Sequence, residues 1–367
     1  MIRRRTSSRI RQLGGITISC RSGGSGVPAP MTRTAYVAST GDDMTAAIND
    51  PGAPFATLMA AQTALTAEYP DGPLTFVFAD DHGQTVEDFS YVAGRGALIT
   101  IKAATGTVTF GAGLELGMGD STTNLRVRGL HGVTLRWMPN TVQTATNAGV
   151  VDSDSALTVI CIGQSASAVT NKPSTPSEAA GANGYDSSHP RGDDANANGQ
   201  PGETAGNGGY GRSITLNGAF VCAINQNGGD GGAGGPGGDA ANAAGGNGWD
   251  ASILTNNTTG GDGGDADASG GDGGYGGNGG NGGDVTLMNG ATLGTHSQAG
   301  GAAGGGGIGG APATATAGTG GAGGSGGGDD GFGGAYPPGN PGANGTARAT
   351  PGNTGPSGSP GTDGSIL

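Results

Sequence analysis

Six carboxylates in the first half of the chain have the chemistry needed to cleave a glycoside: Asp80, Asp81, Glu87, Asp88, Asp152 and Asp154. That reaction takes one carboxyl as acid and a second as base or nucleophile across a cleft. Asp80-Asp81 follows a strand-like run and precedes His82, an arrangement that could move a proton. Acidic residues at turns between short strands are ordinarily solvated, so no catalytic residue is assigned. In the second half the reactive side chains are few: Tyr210, Trp249, Tyr275, His296, Phe332 and Tyr336, all set among glycines. Aromatic faces stack on sugars and on protein surfaces. These six are the expected binding contacts, with Trp249 and the 329–338 segment foremost. The competing role for each is to plug a local gap in a chain poor in side chains.

Other motifs carry less. Residues 260–274, GGDGGDADASGGDGG, approach a calcium-binding nonapeptide but lack the large apolar residue each such repeat needs. Their aspartates are expected in solvent. No GKS or GKT follows the GGNGG stretch, so a phosphate cradle is not expected. Arg191-Gly192-Asp193 matches the integrin tripeptide, a chance match that such loops often produce. Cys20, Cys161 and Cys222 have neither zinc nor disulfide spacing. Cys161 and Cys222 sit in apolar runs and read as small core residues. No metal and no cofactor is expected.

The elements that position these groups are constrained by composition. The chain has 367 residues and 84 glycines, 24 in residues 1–200 and 60 in residues 201–367. Ordinary domains hold about 7% glycine. With aromatics at 4% and charged residues at 12%, the second half cannot build a core by burying apolar side chains. Residues 1–200 carry 14 basic and 17 acidic side chains, net −3, and residues 201–367 carry 2 and 12, net −10. Such a surface repels nucleic acid. No window approaches 18 consecutive apolar residues, so no membrane insertion is expected. Residues 1–33 are the basic exception, with seven arginines. They read as a disordered tail, as an early start with Met31 the true one, or as an arm that docks on an acidic partner.

Short β-branched runs follow: Leu74–Phe78, Leu98–Lys102, Val108–Phe110, Leu125–Val127, Val133–Trp137 and Leu157–Ile160. Their alternation fits stacked coils, each burying its face against the next, with a β-sandwich as the competitor. Before them, Pro54 and the spacing of Phe55, Leu58, Met59, Gln62 and Leu65 predict a helix. Tyr36-Val37, Gly41, Asp50-Pro51-Gly52 and Pro54-Phe55-Ala56-Thr57-Leu58 together resemble the N-terminal entrance of pectate-lyase-like right-handed parallel β-helix proteins. That resemblance implies a helix capping the first coil.

From residue 173 the chain turns polar. Two similar segments, Ile214–Phe220 and Val285–Leu293, start 71 residues apart (285 − 214). They read as core strands from which glycine-rich excursions leave and return. The excursions repeat in threes: GGD-GGA-GGP-GGD at 228–239 and GGD-GGY-GGN-GGN-GGD at 270–284. A polyproline II-type helix has three residues per turn and no internal hydrogen bonds, so glycine-rich copies can pack at backbone distance. A flexible coil is the alternative. Glycines 352, 355, 358, 361 and 364 shift to a collagen-like G-x-y phase.

These GGX blocks with intervening loops resemble the tip adhesins of T-even-type phage long tail fibres, and also the glycine repeats of mycobacterial PE-PGRS surface proteins without their helical N-terminal domain. The fold expected is all-β: a β-helix-like domain at 34–172, a polar linker at 173–210, a polyglycine II domain at 211–338 and a collagen-like tail at 339–367. The function the resemblance implies is a virion tail-fibre or spike adhesin. Its partners would be a bacterial surface glycan or outer-membrane protein and other virion tail proteins, and a homotrimer is one assembly it allows. A polysaccharide depolymerase and a structural surface protein are the rival readings.

Overall fold

The computed structural model describes residues 33–68, 73–81, 86–88, 98–118, 123–186, 188–250, 259–324 and 338–367. Phe332, Tyr336, His82 and all of the basic arm except Arg33 lie outside them. The architecture is mostly parallel β-sheet, with one helix among the described residues.

Strands are numbered along the chain. One sheet of seven runs β1 (Arg33–Val37), β2 (Leu74–Phe78), β4 (Leu98–Ala103), β6 (Thr123–Arg128), β8 (Asn147–Ser153), β12 (Ser213–Asn217) and β16 (Val285–Met288). A second sheet of six runs β3 (Val86–Asp88), β5 (Val108–Met118), β7 (Leu130–Trp137), β9 (Leu157–Ile160), β13 (Val221–Asn225) and β17 (Thr292–Ser297). From β2 to β9 the chain alternates between the two sheets. The alternating side chains explain the register, because a slip of one residue would turn each apolar face to water. Leu74, Ile99, Leu125, Val151, Leu216 and Leu287 pair in one continuous row. Leu116, Leu135, Val159 and Ile224 do the same in the second sheet. Both rows pack into a single cluster with Phe76, Phe78 and Trp137. Each such side chain contributes roughly 1.5–3 kcal/mol on burial.

The helix α1 spans Leu58–Glu68 and buries Leu58, Ala61, Gln62 and Leu65 against this cluster. It starts later than the spacing predicts. Phe55 pairs instead with Val37 as a bridge, its N–H donating to Tyr36 O at 2.8 Å. Thr57 is the cap, its Oγ1 accepting the Ala60 N–H at 3.1 Å. Each of the two segments expected as single strands, 214–220 and 285–293, gives way to a pair: Ser213–Asn217 with Val221–Asn225, and Val285–Met288 with Thr292–Ser297. Gly218 at φ 112° breaks the first, and Asn289 and Gly290 at φ 53° and 89° break the second. Each pair of halves therefore feeds both sheets.

Beyond the strands the chain makes three excursions, fixed by backbone hydrogen bonds. Residues 163–184, 227–249 and 299–324 form one row of parallel segments; residues 192–211, 260–283 and 338–364 form a second row running the other way. Asn278-Gly279-Gly280 shows how the N–H groups are used. Gly279 donates to Ser359 O in the next layer at 2.9 Å, and Gly280 donates across the rows to Gly229 O at 2.8 Å. The Asn278 N–H goes to the Asn207 side chain in the layer before, at 2.7 Å. All three donors of a triplet are thus satisfied in three directions. A Cβ on Gly279 would collide with Gly301 O, and one on Gly280 with Gly209 O. Two residues in three must be glycine where a segment has neighbours on both sides. In the last segment, Gly352, Gly355, Gly358 and Gly361 donate to Gly310, Gly307, Gly304 and Gly301. There a Cβ would meet the preceding layer of the same row, as at Gly352 against Gly271 O and Gly361 against Gly280 O, and one glycine per triplet meets that need.

Midway along the excursions glycine gives way to alanine. The strands β10 (Ala179–Ala180), β14 (Ala243–Ala244) and β18 (Ala315–Thr316) pair in one small parallel sheet. A matching sheet holds β11 (Ala195–Asn196), β15 (Ala266–Asp267) and β19 (Ala347–Arg348). Between them lies a separate buried alanine cluster that includes Ala195, Ala197, Ala243, Ala266 and Ala268. Where the excursions join the strands, buried Gln226 donates Nε2 to Arg212 O, and Gln298 donates to Gly283 O at 2.9 Å.

Candidate functional site

The far end of the excursions, where the chain reverses, gathers side chains that glycine segments otherwise lack. The first reversal is a tight turn from Tyr185 to Pro190. The Asp186 carboxylate accepts the N–H of Ser188 at 2.8 Å, the Ser188 hydroxyl at 2.6 Å and the His189 N–H at 2.8 Å. The Ser188 hydroxyl first, then the backbone donors, hold the Asp186 carboxyl down at about 2. This turn stacks the Tyr185 ring on the His189 ring, centroids 4.8 Å apart and planes 15° from parallel. Tyr185 is 67% exposed.

The second reversal begins at Trp249. Its N–H donates to Pro190 O at 2.7 Å and its carbonyl accepts the Gly261 N–H at 2.9 Å. Trp249 is therefore tied to the first reversal and half-buried beside it. A depression here is lined by Pro190, Arg191, Trp249, Thr259, Gly260 and Asp262. Arg191 is held by Asp194 at 2.8 Å and Asp265 at 3.4 Å. An aromatic wall beside a guanidinium and carboxylates can stack a ring and hydrogen-bond its hydroxyls. Phe332 and Tyr336 lie outside the described residues.

The other expected contacts are dispersed. Tyr275 is exposed midway along the second-row segment, its carbonyl accepting the Ala205 N–H. It stands 14 residues (275 − 261) from the Trp249 partner Gly261, which is about 40 Å of extended chain at ~3.1 Å per residue. Tyr210 is half-buried where the excursion returns, donating its N–H to Val142 O at 2.9 Å. His296 is exposed on β17. Tyr185 and His189 are not among the residues expected from sequence; their signal is the Asp186–Ser188–His189 turn chemistry between Gly184 and Gly192.

The carboxylates considered for cleavage have structural partners. Asp80 accepts the Ser39 N–H and hydroxyl at 2.7 and 2.6 Å, and Asp81 accepts the Gly111 N–H at 2.7 Å. Asp154 accepts the Gly129 N–H. Asp152 pairs with Arg128 at 2.7 Å and Arg126 at 3.1 Å. Burial raises its carboxyl, but the two guanidiniums outweigh that and hold it below the usual range. The side chains of Glu87 and Asp88 lie outside what is described. Asp262, Asp265 and Asp272 each accept a backbone N–H from the segment 81 residues on. No group of three or more His, Cys, Asp or Glu converges among the described residues. No helix among them is long and apolar enough to cross a membrane. The chain matches no protein-family model, no curated protein and no solved structure.

Proposed function

We propose that this chain is a host-attachment adhesin of a phage tail fibre or spike. Its strand body is read as a right-handed parallel β-helix, and its excursions as a polyglycine II-type scaffold. The alternation of parallel strands between two sheets supports the first reading, and the known handedness of parallel crossovers supplies the turn direction. The donor pattern repeated every three residues supports the second. The binding reading rests on one observation: Tyr185, His189, Arg191 and Trp249 are collected at the reversal end of a stack whose remaining residues are mostly glycine and small polar groups. A backbone-paired scaffold holds these groups with little conformational entropy left to lose, so loop-tip contacts translate efficiently into affinity. Aromatic faces flanked by charged groups suit a surface glycan or the rim of an outer-membrane protein.

The test is adsorption of the purified chain to lipopolysaccharides and outer-membrane fractions from a panel of bacteria. Binding that falls at least about tenfold in Trp249→Ala and Tyr185→Ala, but not in Met288→Ala, supports the proposal. Equal binding by all three variants removes it. Release of reducing ends in the same assay would favour a depolymerase instead.

A further inference from the structure

Asparagine stands directly before glycine at ten positions, and eight of them lie in the excursions. This dipeptide reacts readily with itself. The glycine nitrogen, once its N–H is deprotonated, attacks the asparagine Cγ. The N–Cγ bond forms, the Cγ–Nδ2 bond breaks, and ammonia leaves with the proton. Water then opens the five-membered imide at either carbonyl, giving aspartate or isoaspartate. Glycine has no side chain to hinder the attack. In the excursions both reacting groups are engaged. Asn278 Oδ1 accepts the Ser359 N–H at 2.7 Å, and the Gly279 N–H donates to the carbonyl of the same Ser359 at 2.9 Å. Asn207 and Gly208 make the same two bonds with Asn278, at 2.7 and 2.8 Å, and Asn281 and Gly282 make them with Thr362, at 2.9 and 2.8 Å. Asn183, Asn198, Asn227 and Asn247 repeat the pair with one residue each of the next layer. At Asn344 the bonds run to the neighbouring row: its Oδ1 accepts from Gly320, and the Gly345 N–H donates to Gly318 O.

We propose that these eight Asn–Gly pairs are latent self-modification sites, held unreactive by the bonds between segments and released when the segments part. The glycine N–H is shielded from the base that must take its proton, as a slowly exchanging amide is. The asparagine side chain is pinned toward a neighbouring segment instead of turning back on its own backbone. The two products differ in what the stack can accept. Aspartate fits, because Asp230, Asp262 and Asp272 stand at equivalent positions and accept the same kind of N–H, from Ala302, Ala343 and Asn353. Isoaspartate puts an extra methylene group into the backbone, which breaks the three-residue phase on which every donor depends. Opening of the stack is thereby recorded at these sites and made irreversible. Nothing in this chemistry depends on what the stack binds.

Site-by-site deamidation of the full chain, followed by peptide mass spectrometry at mildly alkaline pH, tests it. The eight sites are expected to react at least about tenfold more slowly in the folded chain than in urea, and to quicken with rising urea in step with amide exchange at the glycine after each asparagine. Equal rates in the folded and unfolded chain, while circular dichroism stays native, would overturn the proposal. A variant separates these bonds from general rigidity. Ser359→Pro removes the N–H that pins Asn278 and keeps the extended backbone that proline favours. It should raise the rate at Asn278 several-fold relative to Asn281 in the same molecule. An unchanged ratio in the folded variant would also overturn the proposal. If that variant does not fold, the comparison of folded and urea-unfolded wild-type chain decides.

Discussion

Asn207 and Asn278 stand one layer apart, and the Asn207 side-chain oxygen accepts the backbone N–H of Asn278 at 2.7 Å. Asn278 repeats the contact, accepting the N–H of Ser359 at 2.7 Å. The third residue of each triplet is thus a rung in a ladder as well as a surface group. Asn278→Ala should cost about 1 kcal/mol, the typical net worth of a hydrogen bond. Asn278→Asp keeps the acceptor and should cost less. Denaturant melts of the two variants check the ranking, and exchange at the Ser359 amide should quicken only in the alanine variant.

Glycine is required at some positions of the stack and not at others. A Cβ on Gly277 would strike Gly206 O and lie 3.1 Å from Gly232 N, both backbone atoms with no room to yield. A Cβ on Gly305 would meet nothing within 4 Å. Gly277→Ala is expected to destabilise by about 1–3 kcal/mol or more, as overpacking does. Gly305→Ala should be neutral or stabilising by about 0.4–1 kcal/mol through the unfolded chain. Thermal melts of the two variants side by side decide it.

Acid should weaken the stack. Asp239 is lowered by the Lys172 ammonium first and the Ala311 N–H second, Asp265 by the Thr346 N–H and hydroxyl, and Asp267 mainly by the Ser269 hydroxyl. With folded values below the unfolded one, the unfolded chain binds more protons as pH falls. The stability these groups contribute is fully present above the unfolded value of about 3.9 and is lost as pH drops through the folded values. The melting temperature should therefore decline below about pH 4. Asp239→Asn, which keeps an acceptor but cannot titrate, should flatten that decline.

The two buried cysteines should be silent in the native protein. Burial pushes the Cys222 thiol up to about 12 and raises Cys161 as well. Thiolate is the reactive form, so alkylation of both by iodoacetamide at about pH 8 should require unfolding. Mass spectrometry of native and denatured samples measures this, and rapid native labelling of either residue would contradict the packing.

Much of the strand body was legible because its signal is local. Ile99 and Ile101 alternate with Leu98 and Thr100, and the structure buries the first pair. The repeat at 214 and 285 was legible too, and Ile214 pairs with Val285 in register. The strand Asn147–Ser153 was not, since Gly149 and Val150-Val151 blur its alternation. Turn chemistry hid the breaks at Gly218 and Asn289, and the Thr57 cap moved the helix start. At the candidate site, Trp249 stood out as a lone aromatic, whereas Tyr185 and His189 were submerged in a polar stretch. The ladder role of Asn and Asp was the least legible feature. Its partners lie 64 to 81 residues away, so no local pattern reveals them.

Backbone hydrogen bonds between neighbouring segments hold the glycine-rich half together as a scaffold. Residue-resolved amide hydrogen exchange tests it most directly at Gly229, Gly232, Gly274, Gly277 and Gly280, which donate across the rows at 2.8–3.0 Å. The account predicts exchange slowed by orders of magnitude relative to unstructured peptide, at a level shared among these amides. Exchange at the unstructured rate at all five would contradict it.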